Sequence, residues 1–335
     1  MMVSKPRIGI SSCLLGNKVR HDGGHKLEPF ITQTLGRHVE WVPVCPELEV
    51  GMGVPRETVR LVGSPANPKM IADKSGKDWT REMQIYAVKR VRRLEEMNLS
   101  GYILKKNSPS CGMERVRVYP EPPRGVKDRY STGYRVYGPK GIPNKRGRGL
   151  FAQTLMTKLP LLPVEEEGRL YNPWLRENFI ERVFGYRRWQ ALVSDGRSIK
   201  RLVDFHSQEK LLLFAHSEAH MRRLGRIVAQ TRRMSFGAAM EEYGRLFMEA
   251  LGHRATTRKN TNVLQHMLGY FSKQLSSDER NALLGVIGDY RRSLVPLVVP
   301  LTLIRHYADK YDIAHLRGQS YLQPHPKELM LRNHV

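Results

Sequence analysis

The pattern of apolar residues changes once along this chain of 335 residues, and the change limits the architectures open to it. Over the first 160 residues, short apolar runs alternate with stretches of helical periodicity. The apolar runs occupy residues 7–12, 39–44 and 101–106, and the helical stretches occupy 26–36 and 80–98. This alternation favours an α/β domain with a mainly parallel, Rossmann-like sheet. From residue 173 onward only helical patterns recur, which predicts an all-α helical domain.

Glycine, proline and acidic residues mark the expected breaks in this pattern. Residues 51–78 are rich in glycine and proline, so we expect an irregular excursion there, and residues 119–149 predict a long basic loop or hairpin. An acidic stretch after Pro163 is the expected boundary, which places the domains at 1–163 and 164–335. The predicted helices of the second domain cover 173–191, 198–215, 217–231, 235–252, 256–275 and 278–311.

The charge of the chain indicates the kind of partner it binds. Lysine and arginine number 56 against 32 aspartates and glutamates, which gives a net charge of +24. Such a field attracts polyanions, and nucleic acid is the commonest large one in the cytosol. A generally basic solvated surface is the alternative. No secretory signal and no apolar run long enough for a bilayer is recognisable, so we expect a cytoplasmic protein without a membrane partner.

All three cysteines lie in the first third of the chain, and each follows a predicted strand. Cys13 follows the first apolar run, Cys45 the second, and Cys111 comes a few residues after the third. Ligands bind beyond the carboxyl ends of parallel strands, so we expect the three thiols to converge. No two cysteines have the C-x-x-C spacing of structural zinc sites. Convergent thiols can hold a soft metal or an iron–sulfur cluster, and three ordinary free cysteines are the alternative.

Several segments resemble a known family. SSCLLG, VRHDGGHK, CPELEVGMGVPRE and KKNSPSCG resemble the motifs of the thiouracil desulfidase family. In the second domain, FHSQEKLLLFAHSEAHMRRLGRIVA and YLQPHPKEL are similar to the YbgA-like domain. The two domains in one chain resemble the RudS-type desulfidases, which remove sulfur from 4-thiouridine in tRNA. The resemblance covers essentially the whole chain.

The resemblance implies a [4Fe–4S] cluster ligated by Cys13, Cys45 and Cys111, with the fourth iron open to the sulfur of the substrate. It also implies a desulfidase that converts 4-thiouridine in tRNA to uridine and releases sulfide. Replacing C=S by C=O needs an activated water and protons for the departing sulfide, so a carboxylate beside the cluster is expected to act as base and then acid. Glu47 matches the family's motif, and Glu49 is the second candidate.

Hydroxyl and charged side chains near the cysteines are expected to complete the site. The resemblance favours Ser108 as a second catalytic residue. The expected substrate contacts are Ser12, Asp22, Arg56 and Ser110. Roles in capping a turn or in presenting Cys111 are the alternatives for Glu47 and the two serines of the SPSC segment.

The basic stretch after Cys111 is expected to guide RNA to the cluster, because each lysine or arginine can neutralise a phosphate. Between residues 115 and 158 there are eleven basic and two acidic side chains. The candidate RNA contacts are Arg124, Lys127, Arg129, Lys145, Arg146 and Arg148. The helical domain is expected to help hold tRNA, and no obligate protein partner is inferred. Two other functions stay open: a desulfidase of free thiouracil-type bases, and a non-enzymatic cluster-containing sensor that binds nucleic acid.

Overall fold

The chain divides after Tyr171, where a unit that contains all the described strands ends and a helical unit begins. The computed structural model describes residues 5–121, 142–196, 198–233 and 235–335. The strands of the first unit are β1 (Arg7–Ser11), β2 (Glu40–Val44), β3 (Val59–Ser64), β4 (Asn67–Ala72), β5 (Gly101–Leu104), β6 (Val116–Tyr119), β7 (Asn144–Gly147) and β8 (Val164–Glu166). Its helices are α1 (Pro46–Glu49), α2 (Thr80–Glu96) and α3 (Leu150–Lys158).

The first sheet has the strand order β2-β1-β5-β8, and every pair in it is parallel. Its strands are short and rich in aliphatic residues, and Ile8, Ile10 and Ile103 are fully buried. Helix α2 buries one apolar stripe, made of Met83, Ala87, Val91 and Leu94. The predicted parallel sheet with helices is therefore confirmed. The helical stretch predicted at 26–36 is shorter, with a π-helical turn Phe30–Thr34 and a 3-10 turn Leu35–Arg37.

A second, mixed sheet has the order β4-β3-β6-β7. Strands β3 and β4 form an antiparallel hairpin in which Ser64 pairs with Asn67, so the irregular excursion predicted over residues 51–78 is wrong for this part. The glycine and proline content suggested loops, although the apolar residues alternate as in strands and Leu61 and Met70 are fully buried. Strands β6 and β7 are also antiparallel, and most of the basic loop or hairpin predicted over 119–149 lies between them, outside the described residues.

The boundary between the units lies eight residues beyond the expected one, because the acidic stretch after Pro163 is a strand. β8 pairs with β5 at the edge of the parallel sheet. The carboxylates of its glutamates and of the residue that follows are buried, and a buried charge needs a partner. The partners are Arg169 for Glu165, the amide of Met113 for Glu166, and Lys105 for Glu167. The acidic composition therefore indicated a domain boundary where the chain forms a paired edge strand.

The second unit is helical throughout its described residues, which confirms the predicted all-α domain. Its helices are α4 (Pro173–Ser194), α5 (Ile199–His216), α6 (Glu218–Gln230), α7 (Phe236–Gly252), α8 (Thr257–Gly269), α9 (Ser277–Arg291), α10 (Val298–Lys310) and α11 (Ala314–Arg317). Each helix from α4 to α9 begins at an Asn, Ser or Thr whose side chain accepts an amide hydrogen of the first turn. The single helix predicted over 278–311 is wrong. Ser293 has a φ of +59° and Pro296 follows, so the chain breaks between α9 and α10.

Aromatic stacking and a buried ion pair hold the helical unit together. Trp189 stacks on Tyr243 with ring centroids 5.4 Å apart. Near the end of the chain, Arg332 Nη2 donates to Glu181 Oε1 at 2.6 Å, and its Nη1 donates to the carbonyl of Tyr321 at 2.6 Å. Both charged side chains are almost fully buried. Among the described helices, none combines the length and the apolar character needed to cross a bilayer.

We expect Arg332→Ala to lower the free energy of unfolding of the helical unit by about 3–5 kcal/mol, because it leaves the buried Glu181 carboxylate without its counter-charge. Arg317→Ala removes a surface pair with Asp312 and is the control, with an expected change below about 1 kcal/mol. Urea unfolding of the full chain followed by far-UV circular dichroism measures both. Equal losses in the two variants would contradict the assignment.

Candidate active site

A cavity of about 360 Å³ lies at the carboxyl edge of the parallel sheet, and all three cysteines line it. Cys13 lies in the 3-10 turn Ser12–Leu15, which follows β1 directly. Cys45 comes directly after β2, and Cys111 lies in the loop after β5. Because β1 pairs in parallel with both other strands, their ends meet at one edge, and the expected convergence of the thiols is observed.

The surroundings of the thiols disfavour free thiolates. Burial raises the pKa of Cys13 to about 11, and the nearby Lys105 opposes that rise only in part. Burial likewise raises the pKa of Cys45 and, further, that of the deeply buried Cys111. Without a bound cation the three sulfurs are therefore protonated at neutral pH. Thiolates at these positions need a positive partner in the cavity, which is what a metal centre supplies.

The donor set fits a cluster better than a single ion. Among the described histidines, cysteines, aspartates and glutamates, no group of three or more is placed to hold one metal ion. The ligands of a single zinc ion all approach one point, whereas the thiolates of a four-iron cluster bind different irons. Three separated thiols around one cavity suit the second arrangement. Cys13, Cys45 and Cys111 are the residues that would hold such a cluster.

Glu47 faces the cavity with its carboxylate fixed by a buried arginine. Helix α1 starts directly after Cys45, so its first turn projects Glu47 into the space beside that thiol. Glu47 Oε2 accepts from Arg56 Nη2 at 2.5 Å and from Nε at 3.2 Å. Arg56 Nη1 donates to the carbonyls of Val19 and Gly53, each at 3.0 Å. Both side chains of the pair are largely buried, so the direction of the carboxylate is set by the fold.

Two serine hydroxyls connect the other oxygen of Glu47 to the loop of Cys111. Ser110 Oγ donates to Glu47 Oε1 at 2.7 Å, and Ser108 Oγ lies 3.3 Å from the same oxygen. Ser110 Oγ is also 3.6 Å from Cys111 Sγ. Ser108 Oγ accepts the amide hydrogen of Cys111 at 3.1 Å, so this hydroxyl also builds the turn. Ser110 thus stands between the Glu47 carboxylate and a cysteine sulfur.

Glu49, the second candidate for acid–base work, is not among the described residues that line the cavity. Its Oε1 accepts the amide hydrogen of Cys45 at 3.0 Å. Its Oε2 accepts from the Tyr86 hydroxyl at 2.8 Å and lies 3.0 Å from Arg90 Nε. The two glutamates of α1 therefore face different surroundings, and of the two Glu47 is the one that lines the cavity.

The remaining expected substrate contacts divide into two groups. Ser12 and Arg56 line the cavity together with the two serines. Asp22 is not among the described lining residues, and its side chain is half exposed. The amide of Gly24 donates to Asp22 Oδ1 at 3.0 Å and lowers the pKa of that carboxyl group. Asp22 therefore stabilises the turn in which it lies.

The expected RNA contacts also differ from one another. Lys145 and Arg146 are exposed on β7. Arg148 is half-buried, and its Nε donates to the carbonyl of Met113 at 2.8 Å, so it supports the chain just after Cys111. Three further candidates, Arg124, Lys127 and Arg129, lie outside the described residues.

Sequence reasoning missed four basic side chains among the described residues of the cavity wall: Arg20, His21, Lys105 and Lys106. Lys105 Nζ lies 2.6 Å from Glu167 Oε1 and close enough to Cys13 to act on its pKa, whereas Lys106 is exposed. All four stand in the VRH and KKN portions of the motifs that carry the family resemblance. Those portions were the available indication, although they did not mark these four side chains individually.

The comparisons with known proteins divide at the same place as the fold. Residues 8–167 match the family described as 2-thiouracil desulfurase, and residues 210–326 match the family described as protein of unknown function DUF1722. Uncharacterized protein YbgA of Escherichia coli strain K12 is 36% identical over 153 residues, which are 45% of this chain and 90% of that protein. Uncharacterized protein YbbK of Bacillus subtilis strain 168 is 35% identical over 108 residues, which are 31% of this chain and 71% of that protein.

A solved structure, that of the [4Fe–4S]-dependent thiouracil desulfidase TudS, is similar to part of this chain. The match covers 50% of this chain and 94% of the TudS chain, with 25% identity and a TM-score of 0.36. The cavity with its three cysteines falls wholly within the residues that match the desulfurase family. The helical unit contains the residues that match the second family. The chain therefore belongs to the 2-thiouracil desulfurase family through residues 8–167 and carries a DUF1722 domain in its helical unit.

Proposed function

We propose that the first unit is a desulfidase that exchanges the C=S group of a thiolated pyrimidine for C=O, with a [4Fe–4S] cluster held by Cys13, Cys45 and Cys111. One observation carries the proposal. A single cavity is lined by three thiols and by a carboxylate whose serine partner contacts one of those sulfurs. Membership of the 2-thiouracil desulfurase family supports the same reaction.

The reaction consumes one water, releases sulfide and involves no net oxidation or reduction. Arg56 holds Glu47 Oε2, whereas Oε1 has only hydroxyl partners, so Oε1 is the oxygen we assign to take a proton from a water directed at the thiocarbonyl carbon. Ser110 donates to that oxygen and lines the same cavity, so it would hold the carboxylate in place while Glu47 returns the proton to the departing sulfide. When bound, the cluster would supply an iron without a protein thiolate, a Lewis acid with affinity for sulfur.

We extend the proposal to 4-thiouridine in tRNA, which would become uridine in the cytoplasm. The net charge of +24 and the exposed Lys106, Lys145 and Arg146 support a substrate that carries phosphates. A free base has no phosphate for these side chains to bind. We also propose that the helical unit helps to hold the RNA. Its α6 region exposes a series of basic residues, Arg222, Arg223, Arg226, Arg232 and Arg233.

Protein purified without oxygen should be brown and contain about four irons per chain, as this cluster type requires. Replacing Cys13, Cys45 or Cys111 by alanine should remove or degrade the cluster and abolish desulfidation, because each thiolate binds a separate iron. Iron and acid-labile sulfide analysis with a visible spectrum measures this. Full activity in protein that contains stoichiometric zinc and no iron would overturn the proposal.

Glu47→Ala should lower turnover by about 10²–10⁴-fold, the usual effect of losing a general acid–base group, while the visible spectrum of the cluster stays intact. The matched control is Glu40→Ala, which removes a surface carboxylate paired with Arg7 in the same unit. Single-turnover assays on a thiolated base and on thiolated tRNA measure the rates. A near-normal rate in the Glu47 variant would assign the proton transfer to another group.

The double variant Lys145→Gln/Arg146→Gln should weaken tRNA binding and flatten the log–log dependence of affinity on salt by about 1.4–1.8 units, because two phosphate contacts are lost. Arg148→Gln tests a different role, since its Nε is already bonded to the chain after Cys111. Desulfidation of a free thiolated base should stay unchanged in the double variant. An unaltered salt slope would leave β7 with a role in solubility alone.

A further inference from the structure

We propose that Glu49 and Tyr86 are positioning residues that tie the loop of Cys45 to the loop of Cys111 and so fix the spacing of two cluster thiols. The inference rests on the proposed cluster. It gives a role to a layer of hydrogen-bonded groups behind the cavity that the proposed reaction does not use.

The first part of this tie joins Cys45 to α2. Glu49 Oε1 accepts the Cys45 amide hydrogen at 3.0 Å, while Glu49 Oε2 accepts from the Tyr86 hydroxyl at 2.8 Å. Arg90, largely buried, places its Nε 3.0 Å from the same Oε2 and balances the carboxylate charge. Helix α1 has only four residues, too few to hold itself in place. The orientation of Cys45 therefore depends on the seventeen-residue helix α2.

The second part joins the loop of Cys111 to α3. Three amides at the start of α3 donate to carbonyls of that loop. The bonds run from Gly149 to Gly112 (2.8 Å), from Leu150 to Pro109 (3.1 Å) and from Ala152 to Ser110 (3.1 Å). The approach is close, because a Cβ atom at Gly149 would lie 2.4 Å from the carbonyl oxygen of Ser110. Only glycine at position 149 lets the start of α3 come close enough to form these three hydrogen bonds with the loop.

Tyr86 stands where the two parts meet. Its hydroxyl donates to Glu49, and its ring centroid lies 6.3 Å from that of Phe151, in the first turn of α3. Phe151 is fully buried and also packs on Tyr102 of β5, the strand that leads to Cys111. Burial and the Glu49 charge raise the pKa of Tyr86, so the hydroxyl stays protonated and remains a donor. A path of side chains therefore connects the two cysteine loops without passing through the cavity.

Binding of a cluster requires a defined separation between the loops of Cys45 and Cys111. Each thiolate binds a different iron of a rigid body, so the loops must hold a set separation when the cluster binds and after it has bound. Residues outside the ligand set that orient the ligands typically change metal affinity 10–100-fold when they are replaced. Loss of the Tyr86 hydroxyl should therefore lower the affinity of the protein for the cluster without removing any ligand.

The test compares iron release from variants that keep all three cysteines. Tyr86→Phe keeps the ring against Phe151 and removes only the donor to Glu49. Protein loaded with iron and sulfide without oxygen is mixed with a ferrous chelator, and the coloured complex is followed over time. We expect Tyr86→Phe to release iron about tenfold faster than the natural protein, and Glu49→Ala faster still. Glu49→Gln, which can still accept from the Cys45 amide, should fall between them.

Two controls separate positioning from general stability. Tyr311→Phe removes a comparable tyrosine–glutamate bond, 2.6 Å to Glu279, in the helical unit and should leave iron release unchanged. The thermal midpoint of cluster-free Tyr86→Phe should stay near that of the natural protein. A purely structural role would instead lower that midpoint and leave iron release from folded protein unaltered.

A third measurement needs no cluster. In cluster-free protein, alkylation of Cys45 by iodoacetamide, followed by mass spectrometry, should be faster in Tyr86→Phe and Glu49→Ala than in the natural protein. If the natural protein takes up no iron, the proposed function fails, and the alkylation rates alone decide the positioning role. Unchanged iron release and unchanged alkylation in both variants would overturn it.

Discussion

Parallel pairing of β1 with β2 on one side and β5 on the other is the constraint on which the rest of the first unit depends. Ser11 lies opposite Val44, and Ile10 lies opposite Ile103, so the three strands end at nearly the same level. A slip of one residue would turn every side chain of a strand to the other face, and the buried isoleucines of β1 oppose such a slip. The hydrophobic core thus sets the level at which the three thiols leave the sheet.

Charge is the second constraint, because the first unit buries several carboxylates near one another. Glu47 is neutralised by Arg56, Glu165 by Arg169 and Glu167 by Lys105. Each pair also receives further hydrogen bonds, which is the condition under which a buried ion pair is tolerated. Glu166 has no such cation in its described contacts, and burial raises its pKa. Glu47, Arg56 and Lys105 line the cavity, so two of the three pairs contribute to its walls.

The sequence was sufficient to predict features that depend on local pattern. The convergence of Cys13, Cys45 and Cys111 followed from strand ends, which a short apolar run marks well. Prediction from the sequence failed where contacts with residues far along the chain determine the structure. The stretch of β8 suggested a domain boundary, because its glutamates find their partners only after folding. The β3–β4 hairpin was missed because glycine and proline suggested irregular structure there. Glu47 and Glu49 stand two residues apart, and only the position of α2 decides which of them faces the cavity.

The chain that leaves β7 has a mechanical consequence for one of the three thiols. Within three residues of that strand's end, the Arg148 side chain bonds to the Met113 carbonyl and the Gly149 amide bonds to the Gly112 carbonyl, each at 2.8 Å. The acceptors belong to the two residues that follow Cys111. A force on the β6–β7 pair therefore reaches the Cys111 loop through the chain that leads into β6 and through these two hydrogen bonds, while Cys13 and Cys45 follow other strands. Tension on β6 and β7 would therefore displace the Cys111 thiol before it displaces those of Cys13 and Cys45.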